Sequence, residues 1–310
     1  MYTALKRLRA LAHEANTRRT VLSTAPTMLL PPEQHFLYLL ARDYYTGEGD
    51  IFDGGICLGG CTSCFAQGLA ERDGLPERKL LHAYDQALVT VPPFFAELGI
   101  VRKQGESTLD LIEANIAAMP CRDRIAFHHG DILSQTHPES IEIMFLDVCK
   151  TQALNLGMQK LFSRLIPDKS VLVQQDYTHP WNPYIHATMG HLDEYFEVVG
   201  PVWFGSMVYL LKKAIPADVL EYDAYANETP DTLRKYIMMQ GPGLLHAAQL
   251  TELHLAYAVM LFHKGAYNAC LQHLKWIQTK ECITGELEAV TAHLCDKINA
   301  LAAQRPRATH

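Results

Sequence analysis

Apolar residues recur at helical spacing near the start of the chain. Within the first 46 residues they lie three or four positions apart in two segments, and the second segment begins at Pro31-Pro32. This spacing forms one face of an amphipathic helix. Proline is favoured in the first turn of a helix, where no N–H is needed. The pattern therefore predicts an N-terminal helical cap over residues 1–46.

From residue 47 to 213, apolar runs of strand length alternate with helical segments. This alternation predicts βαβ units and a parallel sheet covered by helices on both faces. The last two strands are too close in sequence for a crossover helix, so we expect them to be antiparallel. The predicted strands are Ile51–Phe52, Leu80–Tyr84, Ile125–His128, Ile141–Leu146, Val171–Val173, Phe196–Trp203 and Met207–Leu211; the predicted helices are Thr62–Ala70, Leu109–Met119, Leu154–Leu165 and Ile185–Glu194.

The strand pattern ends after Lys213. Three amphipathic segments follow, over 250–261, 267–277 and 287–301, and they predict a C-terminal helical domain over 214–310. Helices with one apolar face must bury it, so we expect a homodimer in which this region forms much of the interface. The tail from Gln304 onward should be disordered.

Composition narrows the class of protein further. Of 310 residues, 48% are hydrophobic and 20% charged, as in ordinary globular proteins, and no apolar run is long enough to span a membrane. The net charge of -7 argues against a nucleic-acid-binding surface. Eight cysteines in a chain of this length, without a secretory signal, favour a reducing compartment, and we expect the cytoplasm.

One stretch joins the first strand to the first following helix through a glycine-rich turn. The apolar pair 51–52 leads into Asp53, and then into Gly54, Gly55, Gly59 and Gly60 before an apolar helical pattern begins. Glycine allows a backbone to approach a ligand closely because no side chain intervenes. In open α/β sheets, ligands bind at this edge, where the strands end. The turn therefore predicts a binding site.

An acidic residue follows each of the first five predicted strands: Asp53, Asp85, Asp131, Asp147 and Asp176. A single acid at a strand end is ordinary, since acids favour strand ends and helix caps. Five in succession, together with the glycine turn, favour a binding edge. The acid after the second strand is placed to bind ribose hydroxyls.

These motifs resemble class I S-adenosylmethionine-dependent methyltransferases over roughly residues 45–212. Within that class the resemblance is to macrocin-type sugar O-methyltransferases, whose glycine turn also ends in Gly-Gly. The stretch 144–150 is similar to the part of catechol-type O-methyltransferases where Asp binds magnesium and Lys is the base. The residues that carry the resemblance are Asp53-Gly54-Gly55, Gly59-Gly60, Tyr84-Asp85, Gly130-Asp131, Phe145-Leu146-Asp147, Lys150 and Gln175-Asp176-Tyr177.

The resemblance implies a Rossmann-like, doubly wound sheet of order 3-2-1-4-5-7-6. It also implies a site in which Gly55, Gly59 and Gly60 line the methionine part of S-adenosylmethionine, with Asp53 beside them. Asp85 would bind the ribose and Asp131 would lie by the adenine. Asp147 and Asp176 would bind Mg2+, with Asp147 and Lys150 catalytic. Two positions depart from the family patterns: Cys149 replaces an acid and Tyr177 replaces an asparagine, so a third metal ligand is unassigned.

The chemistry of methyl transfer suits these residues. A bound Mg2+ lowers the pKa of an acceptor hydroxyl, and carboxylate oxygens such as those of Asp147 and Asp176 are ligands that Mg2+ prefers. Lys150 can accept the hydroxyl proton. A metal-free version is also open, in which Lys150 neutralises the two acids. Alternative bases are His128, His129, His179 and His186.

Three cysteines in the turn suggest another chemistry. Cys57, Cys61 and Cys64 have the C-x3-C-x2-C spacing that holds a [4Fe–4S] cluster in radical S-adenosylmethionine enzymes. Those enzymes usually carry an aromatic residue before the third cysteine, where this chain has Ser63, and they lack an antiparallel hairpin after the fifth strand. We therefore interpret the spacing as coincidence.

The sequence thus predicts an O-methyltransferase that acts on a hydroxylated small molecule, for example a sugar on a natural product. The alternative is a non-catalytic Rossmann-like interaction module that works through its C-terminal helices. A radical enzyme with an iron–sulfur cluster ranks third.

Overall fold

The computed structural model describes residues 1–18, 21–203, 205–240, 243–279 and 285–303. Its centre is a seven-stranded sheet of order β3-β2-β1-β4-β5-β7-β6, in which β7 is antiparallel to both neighbours and the other pairs are parallel. The predicted order and the antiparallel finish are confirmed. The strands are β1 Asp50–Gly54, β2 Leu81–Asp85, β3 Ile125–His129, β4 Ile141–Leu146, β5 Val171–Gln174, β6 Phe196–Val202 and β7 Ser206–Leu211.

Thirteen α-helices occur in the described residues. The predicted helices are present with ends shifted by a few residues, whereas the short α4, α8, α9 and α10 were not predicted. The helices are α1 Tyr2–Thr17, α2 Pro31–Leu39, α3 Gly60–Ala70, α4 Pro92–Glu97, α5 Leu109–Ala117, α6 Gln152–Lys160, α7 Pro183–His191, α8 Ala217–Glu221, α9 Ala224–Asn227, α10 Pro230–Met239, α11 Ala247–His263, α12 Tyr267–Gln278 and α13 Gly285–Ala303.

The chain divides into two compact units. The first, the sheet unit, comprises residues 1–149, 153–175 and 194–222, and the second, the helical unit, comprises 150–152, 176–193 and the described residues from 223 onward. The predicted division into domains at 1–46, 47–213 and 214–310 stays a prediction. The predicted disorder from Gln304 lies outside the described residues. No helix in the described parts of the chain is both long and apolar enough to cross a membrane.

The central strand β4 shows why the sheet forms. All six of its residues are buried, as expected for a parallel strand covered on both faces. One of them is Glu142, whose Oε1 accepts a hydrogen bond from Thr46 N (2.6 Å). Its Oε2 accepts from the Thr46 hydroxyl (3.1 Å) and from the backbone N–H groups of residues 47 to 49 at 3.0 to 3.3 Å. This buried carboxylate therefore fixes the loop that leads into β1.

The N-terminal helices belong to the sheet unit. Helix α1 packs against α2 and β6, and α2 packs against α3. Leu8 and Leu11 point from α1 into the core, and nearly the whole of α2 is buried. Gly68 in α3 makes this packing possible, because a Cβ there would lie 2.4 Å from the carbonyl oxygen of Tyr38.

In the helical unit, α10 packs against α7 and α11, and α11 packs against α12 and α13. Gly190 allows the first of these contacts, since a Cβ there would lie 2.3 Å from the ring of Tyr236. Helix α10 was not predicted. Only Leu233 and Ile237 are buried along it, so its apolar pattern is weak. Its start signal is present, however: the Thr229 hydroxyl caps it by accepting from Thr232 N at 3.2 Å.

Candidate functional site

The glycine turn runs from the end of β1 to the start of α3. Gly55 has φ +91° and Gly59 has φ +90°, the left-handed region that favours glycine. A Cβ on Gly55 would lie 2.8 Å from the carbonyl oxygen of Asp147, and a Cβ on Gly59 would lie 3.1 Å from Cε of Met119. Gly55 therefore allows the turn to lie directly against the segment that follows β4.

Gly60 is constrained by the N-terminal segment. A Cβ there would lie 2.2 Å from Cβ of Thr27. The segment is also tied to α3 through Thr24, whose N–H donates to the Ser63 hydroxyl at 2.9 Å. In this structure, therefore, the need for glycine at position 60 comes from chain packing, and its role towards a cofactor stays a prediction.

Asp85 ends β2 and is bound to the turn. Its Oδ2 accepts from Cys57 N at 2.8 Å, and its Oδ1 accepts from Ala87 N at 2.7 Å. Burial raises the pKa of Asp85, and the backbone donors oppose that shift. Because each carboxylate oxygen can accept two hydrogen bonds and the N–H of Ile56 is a third backbone donor to this carboxylate, Asp85 retains acceptor capacity for at least one ribose hydroxyl. The turn thus orients the acid predicted to bind ribose.

Asp53 lies within β1 and is completely buried. Its Oδ2 accepts from the Thr62 hydroxyl at 2.6 Å, while its Oδ1 has no hydrogen-bond partner of normal geometry among the described residues. Burial raises the pKa of Asp53 to about 7, although the Thr62 hydroxyl and the Cys61 thiol oppose the shift. The side chain thus joins β1 to the first turn of α3.

Asp131 is exposed and caps a short 3₁₀ turn over Ile132–Ser134. Its Oδ1 accepts from Leu133 N at 3.1 Å, and its Oδ2 accepts from the Ser134 hydroxyl at 3.2 Å. A cap of this kind stabilises the turn without any ligand. Its predicted place beside an adenine stays a prediction.

Asp147 follows β4 in the sheet unit, where its N–H donates to the carbonyl of Gly54 at 2.8 Å. Asp176 belongs to the helical unit and has a left-handed backbone, with φ +59°. Within that unit, the carboxylate of Asp176 forms an ion pair with Nζ of Lys150. A non-glycine residue in this conformation is strained, which marks the start of the loop after β5 as a constrained position.

The metal prediction depends on Asp147 and Asp176. Among the residues that the structure describes, no three acidic, histidine or cysteine side chains gather into a group that could hold a metal ion. One of the two predicted ligands, Asp176, is paired with Lys150. The donor set therefore does not fit a site with three protein ligands.

Two of the four histidines considered as alternative bases are strongly desolvated. His128 lies in β3 with its Nε2 3.1 Å from Nδ1 of His82, and burial lowers its pKa to about 4. His186 is completely buried in α7, its ring 4.4 Å from that of Tyr177, and burial lowers its pKa to about 3. Neither nitrogen of His186 has a hydrogen-bond partner among the described residues.

The other two histidines have different surroundings. His129 is exposed at the end of β3. His179 is half-buried in the loop after β5, where its backbone N–H donates to the carbonyl of Asp176 at 3.0 Å. No base assignment follows from these positions alone.

The three cysteines of the turn lie around the start of α3. Cys61 and Cys64 are buried in α3, and burial raises the pKa of both thiols. Burial and the neighbouring Asp85 raise the pKa of Cys57 to about 12. Thiolates, not thiols, bind metals, so these surroundings disfavour the ionised form that a cluster needs. The interpretation of the spacing as coincidence stays a prediction.

A pocket of about 400 Å³ lies wholly within the helical unit. Tyr184 and Tyr225 form part of its wall, with ring centroids 5.6 Å apart in an edge-to-face arrangement. The Tyr184 hydroxyl donates to the carbonyl of Lys150 at 2.7 Å, and the Tyr225 hydroxyl lies 2.8 Å from Nδ1 of His263. Lys150, the predicted base, therefore lines the same pocket as two fixed aromatic rings.

Sequence reasoning missed Tyr225, His263 and Lys264 as pocket residues. The sequence offered one weak signal, the His263-Lys264 pair directly before the Gly265 that ends the pattern of α11. Tyr225 lies 38 residues away from His263, so nothing in the local pattern linked them.

Comparisons with known proteins give similarities only to solved structures. No protein-family model matches the chain, and no curated protein matches it. The chain is similar to the O-methyltransferase NovP, with 11% identity over 68% of this chain and 98% of that one, at a TM-score of 0.47. It is also similar to a SAM-dependent O-methyltransferase from Thermotoga maritima, with 15% identity over 66% of this chain and 72% of that one, at 0.41.

A third similar structure is the SAH-bound methyltransferase PaMTH1 from Podospora anserina. Identity is 14% over 67% of this chain and 88% of that one, at a TM-score of 0.37. These identities and scores do not assign the chain to a family.

Proposed function

We propose that this protein is an S-adenosylmethionine-dependent O-methyltransferase that acts on a hydroxylated small molecule. The observation that carries the proposal is the sheet edge. The strand order β3-β2-β1-β4-β5-β7-β6 is the one that the class I resemblance implies. At its carboxyl edge, the glycine turn and Asp85 are joined by the hydrogen bond from Cys57 N.

In this proposal the turn and Asp85 hold the cofactor. Gly55 and Gly59 place no Cβ at their own positions in the turn, and Asp85 accepts hydrogen bonds from the ribose hydroxyls. The roles of Gly60, Asp53 and Asp131 towards the cofactor stay predictions. S-adenosylmethionine, when bound, supplies an electrophilic methyl group on a sulfonium sulfur.

The acceptor hydroxyl is activated by Lys150. Its O–H bond breaks, the proton passes to the neutral amine Nζ of Lys150, and the oxygen becomes a stronger nucleophile. Asp176 beside Lys150 stabilises the ammonium that forms. The catalytic role of Asp147 stays a prediction.

The metal-free version is the one we adopt, since Lys150 already neutralises Asp176. Magnesium assistance by Asp147 and Asp176 stays a prediction. So do the sugar acceptor, the cytoplasmic location and the homodimer.

Calorimetric titration with S-adenosylhomocysteine tests the proposal. We expect the full chain to bind it, and Asp85→Ala to weaken binding at least tenfold, because the ribose loses charge-assisted hydrogen bonds. Since Asp85 also holds the turn, Asp85→Asn, which keeps one carbonyl oxygen, serves as a second variant. Asp123→Ala, at an exposed acid before β3, is the matched control.

The outcomes are distinct. Absence of binding by the unmodified chain would contradict the proposal and favour the non-catalytic interaction module. Binding that is equal in Asp85→Ala, Asp85→Asn and the control would contradict the role of Asp85.

A second experiment separates lysine from metal. Release of S-adenosylhomocysteine is measured with a panel of phenols and sugars. We expect Lys150→Met to lower it at least about a hundredfold, and EDTA to leave it unchanged. Lys160→Met, at another exposed lysine in an ion pair, is the control. Loss of turnover in EDTA and its recovery with Mg2+ would restore the metal version.

A further inference from the structure

The pocket of the helical unit has features of a built small-molecule site. Its volume of about 400 Å³ lies in the range of small-molecule pockets. Two of its walls are the rings of Tyr184 and Tyr225, and each hydroxyl is held, by Lys150 O and by His263 Nδ1 respectively. Tyrosine rings fixed in this way offer a planar or ring-shaped ligand an apolar face at little entropic cost.

Polar residues around these rings divide into paired and available groups. The charge of Lys150 is offset by Asp176, and the amide of Gln152 donates to Asp223 at 2.7 Å. Lys264 differs, because among the described residues no carboxylate lies within ion-pair distance of it. Its Nζ donates to the carbonyl of Ala226 at 2.9 Å and lies 5.6 Å from the centre of the Tyr225 ring.

An ammonium held by one carbonyl still has two N–H groups to donate. The pocket lining contains no acidic side chain, so an anion bound there meets Lys264 without a competing carboxylate in the wall.

His263 adds a second donor. Burial raises the pKa of Tyr225, so its hydroxyl keeps its proton and can donate to Nδ1 of His263. In the neutral imidazole whose Nδ1 accepts, Nε2 carries the proton and is itself a donor. His263 lines the pocket together with Lys264.

We propose that this pocket binds the methyl acceptor as a hydroxylated carboxylic acid, with Lys264 and His263 holding the carboxylate and Lys150 facing the hydroxyl. This inference rests on the proposed function for the identity of the ligand as acceptor. A phenolic acid and a sugar acid share the required chemistry, a ring with a hydroxyl and one carboxylate, and the experiment distinguishes them.

The probes are two pairs in which an amide replaces the carboxylate: 4-hydroxybenzoate against 4-hydroxybenzamide, and glucuronate against glucuronamide. Binding to the full chain is followed by NMR of its histidine ring signals, where the signal of His263 is the one that His263→Gln removes. We expect one acid to bind and to raise the titration midpoint of His263, because a bound anion favours the imidazolium. The matching amide should leave the midpoint unchanged.

Two lysine variants test whether Lys264 binds the carboxylate of the acid. Lys264→Met should weaken binding of the acid about tenfold, as expected for a lost charge-assisted hydrogen bond, and leave the amide unaffected. Lys275→Met, at an exposed lysine of α12, is the matched control and should change neither. A phenolic-acid acceptor predicts this pattern for 4-hydroxybenzoate, and a sugar-acid acceptor predicts it for glucuronate.

Three results would overturn the inference: neither acid binds, acid and amide bind alike, or Lys264→Met leaves acid binding unchanged. Calorimetry with S-adenosylhomocysteine keeps this failure separate from failure of the proposed function. A chain that binds the acid through Lys264 but not S-adenosylhomocysteine has a carboxylate pocket without methyl transfer. A chain that binds S-adenosylhomocysteine but not the acid keeps the function and loses this pocket assignment.

Discussion

The glycine turn of the sheet unit and the pocket of the helical unit hold their polar side chains in different ways. In the turn, the backbone is the partner: Asp85 accepts from Cys57 N and Ala87 N. In the pocket, some side chains pair with backbone carbonyls, as Tyr184 and Lys264 do, and others pair with side chains distant in the sequence. Gln152 donates to Asp223, which lies 71 residues further along the chain, and Tyr225 meets His263 across 38 residues.

Because the partners differ, mutations in the two regions should have different effects on stability and binding. A carboxylate held by backbone N–H groups supports the path of the chain, so its loss leaves several buried donors unpaired. A pair of side chains at a partly exposed pocket supports chiefly the position of the two groups, and its loss costs less. We therefore expect changes in the sheet unit to alter stability and changes in the pocket to alter binding.

The largest effect should come from Glu142→Ala. Removing this carboxylate leaves the N–H groups of residues 46 to 49 without their acceptor, and we expect the free energy of unfolding to fall by about 3 kcal/mol or more. Glu48→Ala, which removes an exposed ion pair with Lys169, should cost less than about 1 kcal/mol. Urea unfolding measures both losses. Equal losses would contradict the expectation that a carboxylate held by backbone N–H groups stabilises the fold more than an exposed ion pair does.

The next effect concerns Gly55→Ala. Its left-handed φ costs an alanine about 1–2 kcal/mol, and the added Cβ would also lie 2.8 Å from the carbonyl oxygen of Asp147. Gly105→Ala is the matched control, since Gly105 has φ +82° and a Cβ there meets no described atom within 4 Å. We expect Gly55→Ala to lower the free energy of unfolding, measured with urea, by more than the cost of the positive φ, and Gly105→Ala to lower it by that cost alone. In calorimetry, only Gly55→Ala should weaken S-adenosylhomocysteine binding by more than tenfold.

An effect that depends on pH is expected at Asp53. Its folded-state pKa of about 7 lies above its ordinary value of 3.8, so between these values the folded chain keeps a proton that the unfolded chain has released. Its contribution to stability is therefore present at low pH and is lost as the pH rises towards 7. Asp53→Asn cannot titrate and still accepts from Thr62. The difference in unfolding free energy between variant and unmodified chain should shift in favour of the variant from pH 4 to 8, whereas a constant difference would contradict the raised pKa.

In the pocket, Tyr225→Phe should have a modest effect on stability. It removes one hydrogen bond to His263 and keeps the ring, so we expect a loss of about 1 kcal/mol. Acid binding should weaken at the same time, because His263 loses the group that orients it. A loss as large as that of Glu142→Ala would show that the pocket supports the fold as strongly as the sheet unit does.

The last prediction is that the protein carries no iron–sulfur cluster, even when it is purified without oxygen. If the C-x3-C-x2-C spacing of Cys57, Cys61 and Cys64 is coincidence, protein prepared without oxygen should be colourless and free of stoichiometric iron and sulfide. A brown preparation with about four irons per chain would contradict that interpretation.

The sheet could be predicted from the amino-acid sequence alone. Predominantly apolar runs such as Ile141–Leu146, in which Glu142 is the one charged residue, are typical of strands buried between two layers of helices. A connection as short as that between β6 and β7 can only be antiparallel. The glycine turn was also predictable, because positive φ and close approach of the backbone require glycine. These are local constraints, and a local pattern suffices to read them.

The contacts between side chains distant in the sequence could be identified only from the tertiary structure. Asp53 and Asp131 had the same signature in the sequence, an acid near a strand end, yet one is completely buried and the other is an exposed cap. Tyr225 and His263 carried no shared signal, and they became partners because helices far apart in sequence pack together. Hydrophobic periodicity specifies which face of a helix is buried, but the neighbour that face meets depends on packing of the whole chain.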